Sequence, residues 1–424
     1  MSEILEVPEG WEIKSLEELC EVVGGGTPKR DDDDNWLNGL IPWATPTDIT
    51  AIKNSNFING TKEKITEYGL KNSSSKLLPT NSILLTSRAT IGARKINTIP
   101  MCTNQGFTSL IPKENNTKFL FYLLSRYERY MNSRAYGTTF PEISRTEVKN
   151  VKVLLPSKID EQQKIAKILS TLDSAIETSQ KLIAKEKNIK KGLMHDLLTN
   201  GIDENGTIRS PKTHKYKESE LGLIPEEWEI QNSSMLCHSI ADGTHDTPKP
   251  SFFGYKLITS KNLKNNKLDT TDAYLISEED YININQRSRV EQYDILFGMI
   301  GTIGNPVIIQ NKNIDFAIKN VGLFRFKGNL KLSMWMYFYL SSKIFEQYLD
   351  ILLSGSSQKF VSLGMLRNLP IPIPKLRKEQ EQIANILTAQ DKKIETEEKN
   401  LEKFKELKKG LMYDLLSGKV RVKV

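Results

Sequence analysis

Asparagine, glutamine, arginine and lysine side chains can bond the edge of a base, and Gly-Ser/Thr turns offer N–H and hydroxyl groups to phosphates. Residues of these types gather in short polar stretches of the chain. In the first half they are Thr45, Thr47 and Asp48, then Ser87, Arg88 and Thr90, then Asn104 and Gln105, and Thr138, Thr139 and Phe140 after Gly137. In the second half Ser260, Lys261 and Asn262 are followed by Met299 and Thr302, by Lys319 and Asn320, and by Ser356, Ser357, Gln358 and Lys359. Taken singly, each of these could equally be a turn residue or a helix cap. Their equivalent placement in both halves makes the set a candidate DNA-contacting surface. Arg88 suits a bidentate guanine contact and Asn104–Gln105 an adenine; Lys359 and the Gly137-Thr138-Thr139 turn suit phosphates.

Groups for covalent chemistry are missing from the pattern. There is no glycine-rich loop ending in Gly-Lys-Ser/Thr, and Gly24-Gly25-Gly26 lacks the lysine such a loop needs. Gly298, Gly301 and Gly304 are wrongly spaced for a nucleotide-binding turn. His195, His214, His238 and His245 fall in no metal-ligand spacing with cysteines, and the Asp31–Asp34 run reads as a solvated loop. No methyltransferase tetrapeptide or nuclease-type carboxylate–lysine cluster is present. The chain is expected to catalyse nothing itself and to hold no metal.

The elements that must position the polar stretches follow from an internal duplication. Pro156–Leu198 matches Pro374–Leu416 at 22 of 43 ungapped positions. The copied words are Glu161-Gln162 with Glu379-Gln380, and Lys190-Lys191-Gly192-Leu193-Met194 with Lys408-Lys409-Gly410-Leu411-Met412. The preceding parts keep only landmarks: Pro8-Glu9-Gly10-Trp11 with Pro225-Glu226-Glu227-Trp228, Cys20 with Cys237, Gly26-Thr27 with Gly243-Thr244, and Ser82-Ile83-Leu84-Leu85 with Asp294-Ile295-Leu296-Phe297. One element was held constant while another drifted, as expected of a common scaffold carrying two different readers.

The constant element is helical. Ile165, Leu169, Leu172, Ile176 and Ile183 fall at three- and four-residue steps, as do Ile383, Leu387, Ile394, Leu401 and Phe404. Such a stripe predicts a coiled coil, with Ser179, Gln390 and Glu397 as polar interruptions. Forty residues span about 60 Å, so a second helix that pairs with the first must run back antiparallel, with one globular domain at each end. Two separate helices, each packed on its own domain, are the alternative. Gly192 and Gly410 inside the helices predict close approach of another backbone, either the partner helix or another subunit.

Short β-branched and aromatic runs, Ser82–Thr86 and Val307–Ile309, predict strands, and helices are expected near Phe119–Asn132 and Met334–Asp350. The expected fold class is therefore mixed α/β, as two α/β domains and an antiparallel helix pair with a pseudo-twofold. Domain 1 covers 1–158, helix 1 159–199, a linker 200–221, domain 2 222–376, helix 2 377–417 and a tail 418–424. The net charge is +7, and its distribution is more telling. Residues 1–35 hold 3 basic and 11 acidic groups while 36–158 hold 17 and 7; residues 223–246 hold 0 and 5 while 247–375 hold 16 and 10. Each domain thus pairs an acidic start with a basic body, as a polyanion-binding face requires; scattered surface lysine is the bland alternative. Three cysteines predict buried thiols in a reducing cytoplasm. No leader or membrane-spanning run is visible.

Two diverged domains, each followed by a repeated helix starting Pro-x-x-x-x-Glu-Gln-x-x-Ile-Ala and closing Lys-Lys-Gly-Leu-Met-x-Asp-Leu-Leu, resemble the specificity subunit of type I restriction–modification systems. The Pro-x-x-Trp words and Thr-Ile-Gly after the central strand belong to the same pattern, and the likeness covers essentially the whole chain. The resemblance implies that each variable domain recognises one half of an asymmetric bipartite double-stranded DNA target. It implies that the helices dock two methyltransferase subunits, and restriction/translocase subunits through them, and that they set the spacer between half-sites. Glu161, Gln162, Gly192, Glu379, Gln380 and Gly410 would lie at that dock. No cofactor is expected on this chain; S-adenosylmethionine and ATP/Mg belong to the partners. A stand-alone methyltransferase with unusual motifs and a DNA-free structural adaptor are the competing readings.

Overall fold

The computed structural model describes residues 7–137, 139, 141–354 and 360–423. Two compact units share the chain: residues 1–182 with 397–424, and residues 183–396. The division cuts through both long helices, Ile159–Thr199 and Arg377–Leu416.

In the first unit a five-stranded sheet runs in the order Cys20–Gly24, Thr108–Pro112, Ile83–Leu85, Arg94–Asn97, Phe57–Ile58. Ile83, Leu84 and Leu85 are buried to within 1%, so the central strand is covered on both faces, which explains its unbroken apolar run. A smaller sheet joins Glu63–Ile65, Ile41–Ala44 and Cys102–Thr103. In the second unit the corresponding sheet has four strands, in the order Ser239–Asp242, Val321–Arg325, Ile295–Gly298, Gly304–Ile308. Its three-stranded companion joins Leu275–Ile276, Tyr255–Ile258 and Phe316–Ile318. The same frame recurs with different edges.

The strand expected at Ser82–Thr86 is Ile83–Leu85, and that at Val307–Ile309 overlaps Gly304–Ile308, which begins three residues earlier and ends one residue earlier. The region near Met334–Asp350 holds two helices, Leu330–Leu340 and Lys343–Leu352. The chain breaks at Ser342, whose Oγ accepts the Phe345 N–H at 3.2 Å and so caps the second helix. Met334–Leu340 is a core helix as its composition requires, with Trp335, Met336, Phe338 and Tyr339 fully buried.

A two-strand ladder leads into each long helix with identical register: Trp11 opposite Pro156, and Trp228 opposite Pro374. The words matched across the repeats are therefore neighbours in space. Within each unit the helix segments pair antiparallel, because partners fall on one helix as they rise on the other. In the first unit Asp173 meets Lys408 while Glu161 meets Arg421 beyond the helix end. In the second, Lys190 meets Asp391 and Glu186 meets Lys393. Ile165, Leu169, Ile383 and Leu387 are fully buried, whereas Leu172, Ile176, Leu401 and Phe404 are half-buried. The seam is thus thickest where a domain also covers it. Gln390, a predicted interruption, donates to Glu186 at 2.8 Å, a polar pairing that fixes register.

The segment 200–221 is not a bare linker. Its Tyr216–Ser219 strand pairs with Gly222–Pro225, and Arg209 is only 6% exposed. All three cysteines are free and buried, with burial pushing the Cys20 and Cys102 thiols up to about 12.

Candidate nucleic-acid interface

In the first domain the predicted polar stretches converge. Thr45 caps the helix Pro46–Ala51 by a reciprocal bond with Asp48, whose Oδ2 accepts both Thr45 N–H and Oγ–H at 2.8 and 2.7 Å. The other oxygen of Asp48 accepts from Lys62 N–H. Asp48 is thus occupied as a cap, and Thr47 beside it faces solvent. Asn104 leans on the same helix start, its N–H bonded to Ala44 O at 3.0 Å. A methyl group built on Gly106 would lie 3.3 Å from Pro46 and 3.9 Å from Arg88, so the helix start, Arg88 and Asn104–Gly106 form one surface.

Arg88 is half-exposed and ion-paired with Glu142 at 3.1 Å. An exposed pair of this kind is worth about 0–1 kcal/mol, so the guanidinium can be exchanged onto a base at little cost. It opens a turn in which Ala89 takes φ 61. Ser87 is buried and bonded through its backbone to Gly106 and Ile143, while Thr90 stands exposed. Gln105 is exposed and accepts from Thr27. Thr139 is exposed; Thr138 and Phe140 lie outside the described residues.

The second domain gathers its stretches around a cleft of about 530 Å³ whose lining includes Ser260, Lys261, Asn262, Ile300 and Asn320. Thr259 and Asn262 repeat the reciprocal cap of Thr45 and Asp48. Ser260 and Asn262 are each 4% exposed: Ser260 Oγ donates to Asn320 O at 3.0 Å and accepts from Met299 N–H, while Asn262 donates to Asp269 O. Met299 is also buried. These side chains build the loop, which leaves Lys261 and Thr302 exposed and Lys319 and Asn320 half-buried at the surface. Ile300, exposed, occupies the place of Arg88. Ser356, Ser357, Gln358 and Lys359 lie outside the described residues.

Two features were missed by sequence reasoning. His245 bridges Asp242 and Asn320 at the edge of this cleft; its signal was its place directly after the Gly243-Thr244 landmark. Phe252 and Phe253, 95% and 85% exposed, project from the loop before Tyr255–Ile258, and nothing in their spacing marks them.

The helix residues expected at a dock divide sharply. Glu161 and Gln162 are buried, as is Glu379. Glu161 accepts from the Trp11 indole at 3.3 Å and from Arg421 at 2.7 and 2.8 Å; Glu379 accepts from the Trp228 indole at 3.1 Å and from Arg209 at 2.5 and 3.1 Å. Gln162 and Gln380 donate to Pro156 O and Pro374 O. These four residues bind each helix start to its own domain. Gly192 and Gly410 are exposed, and a methyl group built on either meets nothing within 4 Å beyond its own helix backbone. The close backbone approach inferred for them is therefore not made by the paired helix.

Among the described residues no group of three or more His, Cys, Asp or Glu could hold a metal ion, and no helix is long and apolar enough to cross a membrane.

The family pattern described as type I restriction modification DNA specificity domain matches residues 8–186 and 225–406. The chain is 28% identical over 437 residues to the type I restriction enzyme MjaVIII specificity subunit of Methanocaldococcus jannaschii, covering 99% of this chain and 95% of that one. It is 30% identical over 285 residues to the MjaIX specificity subunit of the same organism, covering 66% of this chain and 63% of that one. Among solved structures, the type I restriction–modification S subunit from M. genitalium superposes with a TM-score of 0.60 at 15% identity, over 97% of each chain, a likeness of fold.

Proposed function

Because the chain belongs to the type I restriction modification DNA specificity family, we propose that each variable domain reads its own half of an asymmetric, bipartite duplex target. The chain is the non-catalytic DNA-recognition subunit of its system. The observation that carries the finer reading is one frame bearing two chemistries. The same sheet order and the same capped turn recur in both domains, yet half-exposed Arg88 in one is exposed Ile300 in the other. Arg88 and Asn104–Gln105 read bases in the first half-site, and Asn320 with Lys261 and Lys319 serves the second. Thr47, Thr90, Thr139 and Thr302 contact the backbone beside them.

The helix pair docks two modification subunits and, through them, the restriction subunits. The dock lies on the exposed Gly192 and Gly410 faces rather than on the inward-facing Glu-Gln words. S-adenosylmethionine and ATP/Mg reside on those partners. The length of the paired helices sets the number of unread base pairs between half-sites, because a four-residue insertion displaces a reader by about 6 Å.

The test is methylation mapping in cells that express the chain with its modification subunit. Exchanging residues 1–158 for another family member's first domain should alter one half-site and leave the other. Alteration of both halves would overturn the assignment. Arg88→Ala should relax one position of the first half-site by about 1–3 kcal/mol of discrimination, with the second half unchanged.

A further inference from the structure

Asp242 ends the strand Ser239–Asp242 with its carboxylate 5% exposed. Its two oxygens serve different groups: Oδ1 accepts from the Arg287 guanidinium, and Oδ2 lies 3.0 Å from Nε2 of His245. The other ring nitrogen, Nδ1, lies 2.9 Å from Oδ1 of Asn320. The carboxylate takes the hydrogen of Nε2, and Nδ1 decides which end of the Asn320 amide turns to the ring: with a hydrogen it gives it to the amide oxygen, without one it accepts an amide N–H.

The backbone of Asn320 has no freedom to follow the ring. It sits at φ 53, donates its N–H to Thr244 O at 3.1 Å and accepts Ser260 Oγ–H at 3.0 Å. Only the side-chain amide can turn. An amide oxygen held against Nδ1 leaves the N–H₂ on the outside; an amide N–H held there, a half turn away, brings the oxygen to the outside. An outward amide N–H₂ bonds base acceptors such as purine N7; an outward oxygen accepts from adenine N6 or cytosine N4.

We propose that His245 is the positioning residue that decides which end of the Asn320 amide the second domain presents to DNA, and so which base is preferred there. The inference rests on Asn320 being a base reader. The charged groups around the ring are Asp242, Arg287 of the helix Glu278–Ser288, Asp246 next in the chain, and Lys319, whose Nζ donates to Thr247. The first domain lacks the device. Gly24, opposite Thr108, stands in the place of Asp242, opposite Gly322; Gly25 and Gly26 bond Phe107 O and Thr103 O as Gly243 and Thr244 bond Val321 O and Ile318 O, so Thr27, which donates to Gln105, stands in the place of His245. Beside it Asn104 Oδ1 accepts the Gly106 N–H at 2.9 Å, so the backbone and no ring holds that amide.

The experiment presents the full chain, assembled with its modification subunits, with duplexes randomised in both half-sites, and sequences the bound fraction for the parent and its variants. His245→Ala, which frees the amide to turn, should change preference about fivefold or more at one base pair of the second half-site. The first half-site should not move, which also serves as the check that each variant is folded. His245→Gln, whose own amide can hold that of Asn320, should keep more of the parent preference than His245→Ala. A His245→Ala preference identical to the parent's throughout the second half-site overturns the proposal. Asn320→Ala separates the two levels of the argument. If it erases preference at that base pair while His245→Ala changes nothing, the positioning role alone fails; if it changes nothing, the reading role of Asn320 fails.

Discussion

Glu161 and Glu379 occupy matched places in the two repeats, and each receives a tryptophan indole and a bidentate arginine, but the arginines come from unrelated positions. Arg421 lies in the tail five residues past the second helix, whereas Arg209 lies ten residues past the first, in the segment between repeats. Arg421 keeps 40% of its side chain exposed and Arg209 only 6%. In the second unit Ile202 N–H adds a further bond to Glu379 at 3.1 Å. A carboxylate buried at a helix start needs a cation, and either segment meets that need once the geometry delivers one. The two clasps are equivalent in chemistry, and both carboxylates are buried; only the arginines that cover them differ in exposure.

That inequality sets the largest predicted difference. Arg209→Ala strands a buried carboxylate and should cost about 3–5 kcal/mol. Arg421→Ala opens Glu161 to water and should cost about 1–2 kcal/mol. Hydrogen exchange in peptides around Trp228 and Trp11 reads the clasps separately; equal loss of protection at both would break the comparison.

The residues just before the central strands differ, Ser82 in one unit and Asp294 in the other. Burial raises the Asp294 carboxyl to about 6, against the pull of N–H groups from Glu291 and Phe326. A native state that holds its proton more tightly than the unfolded chain loses stability as pH rises from the ordinary carboxyl value to about 6. Asp294→Asn stays neutral throughout. Its stability relative to the parent should therefore grow over that window by roughly 1–3 kcal/mol and then level off. Denaturant unfolding at a series of pH values checks this, and a flat difference would show that Asp294 does not carry the charge.

The smallest contrast lies where each domain meets the helices. Lys408 pairs with Asp173 below Tyr122, and Lys190 with Asp391 at 2.5 Å below Phe338. Asp173 also accepts from Tyr122 at 2.5 Å and Asn56 at 2.6 Å; Phe338 has no hydroxyl to give. Tyr122→Phe should make the first junction resemble the second at a cost of about 1 kcal/mol. No loss in the unfolding midpoint would mean that Lys408 and Asn56 alone satisfy Asp173.

The amino-acid sequence by itself determined the duplication, the spans of the long helices, the central strands and the family, because these depend on local periodicity and on words repeated at a fixed offset. Ile165 and Leu169 declare a buried stripe wherever the helix is placed, and Ile83–Leu85 declares a covered strand. Tertiary structure alone decided which polar residues face outward. Asp48, Ser260 and Asn262 are of the same types and turn contexts as Gln105 and Lys261, yet the first three spend their groups on caps and loop closure. Glu161-Gln162 and Glu379-Gln380 look like a surface motif and are clasped inward, whereas Gly192 and Gly410 stand open. The physical reason is that backbone hydrogen bonding is satisfied between near neighbours, while the partner of a polar side chain arrives from far along the chain: Arg421 for Glu161, Arg209 for Glu379, Asn320 for His245.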